Sequence, residues 1–287
     1  MEKEVKNIAV IGAGSMGHQI AMLSVLGGFT TNLYDVEAAA LDHAEKALQK
    51  RMTQWQEKGK ITDEKKCEAF AKLHMTTDLQ QAVKEADLVI EAVVEKLDVK
   101  REVFKQLDVL SPSHAILATN SSSIVSSKVA DITNRAEQIC NMHFFFPPLV
   151  MDCVEVMRNE QTSDATVEAA LAYCKKINRT AVLLHKEING FIANRLLHAL
   201  TNEALYLYEN GYADFKEIDL IAKKALAHPM GPFELADLSG IDVGYFANLQ
   251  LFKETGNIID QPSKIVEEKV KAGHLGRKTG KGWYDYS

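Results

Sequence analysis

The chain has 287 residues, 46% of them hydrophobic and 25% charged, with a net charge of −6. That length fits two globular domains and buries a core without covalent staples. The acidic balance excludes a general nucleic-acid binder, which needs clustered Lys and Arg for phosphates, and no run of 18 apolar residues offers a membrane span.

The charged start MEKEVKNIAVIG runs straight into a strand and lacks a signal-peptide core, which predicts a cytoplasmic protein. A strand over Asn7–Ile11 is followed by Gly12, Gly14 and Gly17, then by a helix over Ser15–Leu26. Strand, G-x-G-x-x-G and helix form the context in which these glycines bind a dinucleotide. The first glycine permits the tight turn, the second lets the backbone reach the pyrophosphate, and the third packs helix on strand. Loop N–H groups and the positive helix end attract the anion, so Ser15 and Met16 join the cofactor-binding residues. A second strand, Thr31–Tyr34, ends at Asp35, 23 residues beyond Gly12. A carboxylate there bonds the ribose hydroxyls and repels a 2′-phosphate, which favours NAD over NADP.

The segment from Glu37 to about Leu73 reads as a helical pair projecting from the sheet. Further strands are predicted at Asp87–Ala92, Ala115–Thr119, Ile139–Phe144, Cys153–Met157 and Thr180–Leu184, with a helix over Val99–Leu110. Strands alternating with helices imply right-handed crossovers and a doubly wound, mostly parallel sheet of Rossmann type. After Lys186 the strand signals stop, and Phe191, Ile192, Leu196, Leu200, Ala204 and Leu207 recur at helical spacing up to Asn210-Gly211. Helical patterns follow at Phe215–Leu226, Pro232–Leu238, Val243–Glu254 and Pro262–Lys271. The expected domains are 1–187, which binds the dinucleotide, and 188–287, which is all-α.

Cys67, Cys140, Cys153 and Cys174 lie far apart with no C-x-x-C, so neither a metal site nor a redox dithiol is expected. Chemistry concentrates in TNSSSI (119–124), HFFFPPLVMDCVEV (143–156) and EINGFIANRLL (187–197). Removing hydride from an alcohol carbon requires a base for the hydroxyl proton, and His suits that task near neutrality. His143 and Glu155 are 12 residues apart on successive strands, and a turn through Pro147-Pro148 allows them to meet. A lone His at a strand end is more often structural. Ser121, Ser122 and Ser123 equally fit a helix N-cap, and Asn194 follows Phe191 and Ile192 by a turn or less, which points it inward. Lys50, Arg51, Lys58 and Lys60 fit a solvated face as well as a binding one.

With these motifs in order, the chain resembles the L-3-hydroxyacyl-CoA dehydrogenase family, which includes bacterial 3-hydroxybutyryl-CoA dehydrogenases. VIGAGSMG, EAVVEKLDVK, TNSSSI, HFF-x-P, VEV, NGFIANR, HPMGPFELADLSGID and GRKTGKGWYDY carry the resemblance over nearly the whole length. It implies that His143 is the general base, paired with Glu155. Ser122 would bond the 3-oxygen, and Asn194 would contact substrate. Glu95, Lys100 and Asn120 would lie near the nicotinamide half of NAD, with Lys50, Arg51, Lys58 and Lys60 near the coenzyme A tail. It also implies an acyl-CoA substrate and a homodimer formed through the helical domain. The family pattern is HFFNP, whereas Phe146 stands at the Asn position here, beside the catalytic His. Related enzymes act on carnitine or gulonate, so a free hydroxy acid is the alternative substrate, and a non-catalytic NAD(H)-binding protein is a third reading.

Overall fold

Short apolar runs bounded by turn residues give eight strands: β1 Asn7–Ile11, β2 Thr30–Tyr34, β3 Leu73–Thr76, β4 Leu88–Glu91, β5 Ile116–Thr119, β6 Ile139–Phe144, β7 Cys153–Arg158 and β8 Thr180–Leu184. Between them lie α1 Gly17–Leu26, α2 Ala38–Glu57, α3 Asp63–Ala71, α4 Leu79–Val83, α5 Leu97–Leu110, α6 Ser127–Ala130 and α7 Asp164–Lys176. The computed structural model describes residues 5–287, in two units that divide between Phe191 and Ile192.

In the first unit the strands form one sheet in the order β3-β2-β1-β4-β5-β6-β7-β8. Every neighbouring pair is parallel except β6 and β7, which form an antiparallel hairpin. The winding reverses between β1 and β4, and a crevice opens there beyond the carboxyl ends of the strands. Helices cover both faces, so the central strands are apolar on both sides. Ile8 and Val10 of β1 pack with Ile20, Leu33, Leu48 and Tyr173 on one face. Ala9 and Ile11 pack with Val89, Phe104, Leu107 and Leu117 on the other, as the two-residue alternation of a strand requires.

Two differences from the sequence reading concern residues 37–76. The helical pair is present as α2 and α3, but it is anchored: Leu41, Ala44, Leu48 and Met52 of α2 are buried in the sheet-side core. The chain then returns through β3, an edge strand that the sequence reading did not contain. Its sequence LHMT carries only two apolar residues, because an edge strand has fewer buried positions to fill.

The second unit is all-helical: α8 Ala193–Glu209, α9 Phe215–Lys224, α10 Pro232–Ser239, α11 Ile241–Thr255 and α12 Lys264–Lys271. Its core gathers Ala204, Leu205, Phe233, Ile241 and Trp283. The tail GRKTGKGWYDY contributes Trp283 to that core, with Tyr284 packed against it. Buried Asp237 accepts the backbone N–H groups of Trp283 and Tyr284 at 2.8 Å, and Tyr284 donates its hydroxyl to Asp219 at 2.8 Å. No described helix is long and apolar enough to cross a membrane.

Candidate active site

The first two glycines shape a cleft of about 620 Å³ at the switch point. Gly12 has φ +105°, and a Cβ there would lie 2.7 Å from the Ala92 carbonyl oxygen. Gly14 has nothing within 4 Å of an added Cβ, so it borders open space in the cleft. Ser15, Met16 and Asp35 line the cleft on the β2 side, and Glu95, Lys100, Asn120 and Ser122 line it on the β5 side. Gly17 does not line it. Its role is packing, since a Cβ would lie 1.8 Å from the Gly12 carbonyl oxygen. The Asp35 carboxylate is held at the rim by the N–H groups of Ala13 at 2.8 Å and Glu37 at 3.0 Å. A loop without a side chain at Gly12 and Gly14, with a fixed carboxylate at one end of the cleft, fits a dinucleotide with an unphosphorylated ribose.

The β6–β7 register sets His143 directly opposite Glu155. Nδ1 of His143 lies 2.9 Å from Glu155 Oε2, and both side chains are buried. An ionised carboxylate only accepts, so Nδ1–H donates and the Nε2 lone pair remains available. That atom lies 3.1 Å from Ser122 Oγ, which completes a hydrogen-bonded chain Ser122–His143–Glu155. The Phe145 and Phe191 ring centroids lie 4.7 and 5.0 Å from the imidazole and hold it in place.

The serine loop is fixed from three sides. Asn141 accepts from Ser126 N–H at 2.7 Å and donates to the Ile124 carbonyl at 3.0 Å. Ser121 Oγ accepts from Ile124 N–H at 2.7 Å and donates to Glu95. Glu95 also accepts from the N–H groups of Ser122 and Ser123, both at 3.1 Å. Capping and the imidazole contact thus fall to different residues: Ser121 closes the turn while Ser122 meets His143. Asn120 ties the strand ends together, accepting from Phe144 N–H at 2.9 Å and donating its own N–H to the Glu91 carbonyl at 2.8 Å.

Lys100 is 1% exposed, with Nζ 2.7 Å from Glu91 and 3.2 Å from Glu95. Burial raises the Glu95 carboxyl, but Lys100 and the Ser121 and Ser123 hydroxyls outweigh it and hold the group below the ordinary carboxylate range. Glu91 was not picked out from the sequence. The available signal was an acidic residue closing the apolar run LVIE, because a buried carboxylate requires partners. Phe191 was read as the start of the helical periodicity. It belongs to the first unit, buried with Met157 and Leu184, and α8 begins two residues later.

Phe146 is 63% exposed at the turn after β6. Asn194 is exposed on the first turn of α8, contrary to the inward placement expected from its neighbours. Lys50, Arg51, Lys58 and Lys60 are exposed on α2 and the turn after it, and none lines the cleft.

A cleft that fits a dinucleotide, near a histidine oriented by a carboxylate, has the parts that an oxidoreductase of an alcohol–ketone pair requires. The comparisons narrow this class. The model for the 3-hydroxyacyl-CoA dehydrogenase NAD-binding domain matches residues 7–188, and that for the C-terminal domain matches residues 190–286. The chain belongs to the 3-hydroxyacyl-CoA dehydrogenase family. It is 38% identical over 283 residues to a Bacillus subtilis protein described as a probable 3-hydroxybutyryl-CoA dehydrogenase, covering 99% of this chain and 98% of that one. The structure of (S)-3-hydroxybutyryl-CoA dehydrogenase from Ralstonia eutropha matches with a TM-score of 0.93 and 35% identity, covering 99% of this chain and all of that one. A diketoreductase acting on dicarbonyl compounds matches with a TM-score of 0.88 and 30% identity, covering 99% and 100%.

Replacing Asp35 by Asn is expected to relax cofactor choice, because the anion that opposes a 2′-phosphate is gone while one acceptor remains. The ratio of kcat/KM for NAD over NADP should fall about tenfold or more, roughly the 1.4 kcal/mol of one moderate charge contact. A native protein that uses NADP as efficiently as NAD would contradict the assignment.

Proposed function

We propose that this protein catalyses the reversible, NAD-dependent oxidation of a short-chain 3-hydroxyacyl-CoA, such as 3-hydroxybutyryl-CoA, to the 3-ketoacyl-CoA. The observation that carries the reading is His143, bonded to Glu155 on one side and Ser122 on the other beside a dinucleotide cleft. Bound NAD supplies the hydride acceptor. His143 Nε2 takes the 3-hydroxyl proton, Glu155 stabilises the resulting imidazolium, and Ser122 holds the 3-oxygen through its hydroxyl. Reversal returns the proton from His143 to the oxygen. Asn194 offers an exposed amide to the substrate. Lys50, Arg51, Lys58 and Lys60 offer cations to the coenzyme A phosphates.

In this reading residues 1–187 bind the cofactor and residues 188–287 bind substrate and a second copy of the chain. The helical unit leaves Leu196, Tyr212, Ile221 and Phe246 more than half exposed, an apolar surface that a homodimer would cover. Burial pushes the Cys140 and Cys174 thiols up to about 12, so they are inert, as suits free thiols in a reducing cytoplasm.

The test is NADH production across a panel of 3-hydroxyacyl-CoA thioesters with the free acids alongside. Short thioesters should be preferred. Faster turnover of free acids would favour the second reading, a dehydrogenase of a non-CoA hydroxy acid, which the aromatic Phe146 in place of the family Asn supports. Binding of NADH without any turnover would overturn both.

Phe146 supplies a separate check. Because its ring is 63% exposed, Phe146→Asn should change stability by no more than about 0.5 kcal/mol. If the ring edges the acyl site, the same change should shift kcat/KM between apolar and hydroxylated acyl-CoA substrates by about tenfold or more. An unchanged ratio removes Phe146 from the substrate site.

A further inference from the structure

We propose that the Glu91–Lys100–Glu95 cluster is a charge selector that shifts the affinity of the cleft toward the oxidised, cationic nicotinamide relative to the reduced, neutral one. The inference rests on the dehydrogenase reading above. Hydride passes between the nicotinamide and the carbon whose oxygen meets Ser122 and His143. The nicotinamide therefore belongs at the β5 side of the cleft, where Glu95, Lys100, Asn120 and Ser122 are the polar lining.

The charge of the cluster follows from its hydrogen bonds. Glu91 is fully buried and is met only by donors: Lys100 Nζ, Val93 N–H and Thr119 Oγ1, each at 2.7 Å. A buried ammonium 2.7 Å away needs an anionic partner, so Glu91 is a carboxylate. Glu95 is likewise met by donors, from the Ser121–Ser123 loop and from Lys100. Two carboxylates share one ammonium, which leaves one net negative charge. Lys100 cannot swing away to change this count, because it is clamped between both acids and 1% exposed.

Val93, Val94 and Val99 also line this part of the cleft, and the Glu91–Lys100 pair beneath them is buried, so its charges are screened less than exposed ones would be. A fixed negative charge stabilises a cationic ring and does little for a neutral one. Holding the serine loop in place would not by itself require a second carboxylate deep beneath Lys100. Glu91 lies on the strand side of the lysine, where its contacts with Val93 and Thr119 are also met by a neutral amide.

The experiment compares dissociation constants for NAD+ and NADH, measured by NADH fluorescence and its displacement, in the full chain and in variants. Glu91→Gln keeps the side-chain shape and removes the negative charge. It should weaken NAD+ relative to NADH by about three- to tenfold. Glu91→Gln combined with Lys100→Met restores one net negative charge, carried by Glu95, and should bring the ratio back toward the wild-type value. A purely structural cluster would leave the double variant at least as perturbed as the single one.

An unchanged ratio in folded Glu91→Gln that binds both forms would overturn the proposal, as would a double variant whose ratio stays where the single variant put it. Should Glu91→Gln fail to fold, Glu95→Gln decides, since its side chain is 41% exposed and its loss has the same sign. A wild-type chain that binds neither form would instead overturn the dehydrogenase reading itself.

Discussion

His143→Gln is expected to lower kcat by about 10²–10⁴-fold while changing NADH affinity little. The amide side chain cannot accept and return a proton, so the hydroxyl proton loses its acceptor. The dinucleotide cleft keeps its walls, because its lining comes from the β1, β2, β4 and β5 ends together with α4 and α5, and His143 is not part of it. Glu155→Gln should also lower kcat, since a neutral amide still meets Nδ1 but no longer stabilises the imidazolium formed when Nε2 takes the proton. The two losses should not add. Once the base is gone, the partner that stabilises its cation has nothing to act on. Steady-state kinetics of the two single variants and the double variant decide this. Additive losses, or near-normal turnover of His143→Gln, would remove the pair from the mechanism.

Gly17→Ala should be the most damaging single-methyl change in the cofactor loop. The added Cβ would lie 1.8 Å from the Gly12 carbonyl oxygen and 2.9 Å from its carbon. Both are backbone atoms, so no flexible side chain can yield, and the start of α1 must move away from the loop. Overpacking of this kind costs about 1–3 kcal/mol, which lowers Tm by several degrees for a chain of this size. Moving α1 also separates the loop N–H groups from the helix end that together hold the pyrophosphate, so the NADH dissociation constant should rise at least about tenfold, a loss of about 1.4 kcal/mol. Gly14→Ala is the contrast. Its Cβ meets nothing within 4 Å and enters the cleft, so it should weaken NADH binding with Tm unchanged. Thermal melts and NADH titrations separate the two, and a Gly17→Ala variant with native Tm and affinity would contradict the packing role.

The features legible in the sequence were local or carried by a spaced motif. The glycine spacing and the Asp35 offset follow from a turn and a strand length, so they needed no long-range information. His143 and Glu155 could be paired because an antiparallel hairpin joins residues close in sequence, and its register is set by alternation. Asn194 was expected to point inward from its neighbours, yet it is exposed. Apolar residues nearby in sequence do not say which way one side chain turns at a hairpin bend or on the first turn of a helix.

By itself the sequence determined the alternation of strands and helices, the all-α second half, the dinucleotide loop and the residue types able to move a proton. Each of these depends on periodicity, on backbone conformations open to glycine, or on intrinsic side-chain chemistry. Only the tertiary structure decided that α2 is anchored, that β3 closes the sheet edge and that Phe191 flanks His143. It also decided that Glu91 lies beneath Lys100, and that Ser121 caps the turn while Ser122 reaches the imidazole. These are contacts between groups roughly ten to fifty residues apart, or choices among identical neighbouring side chains. Which of them forms is settled by packing and by the pairing of buried polar groups, and neither acts until the sheet has brought the strand ends together.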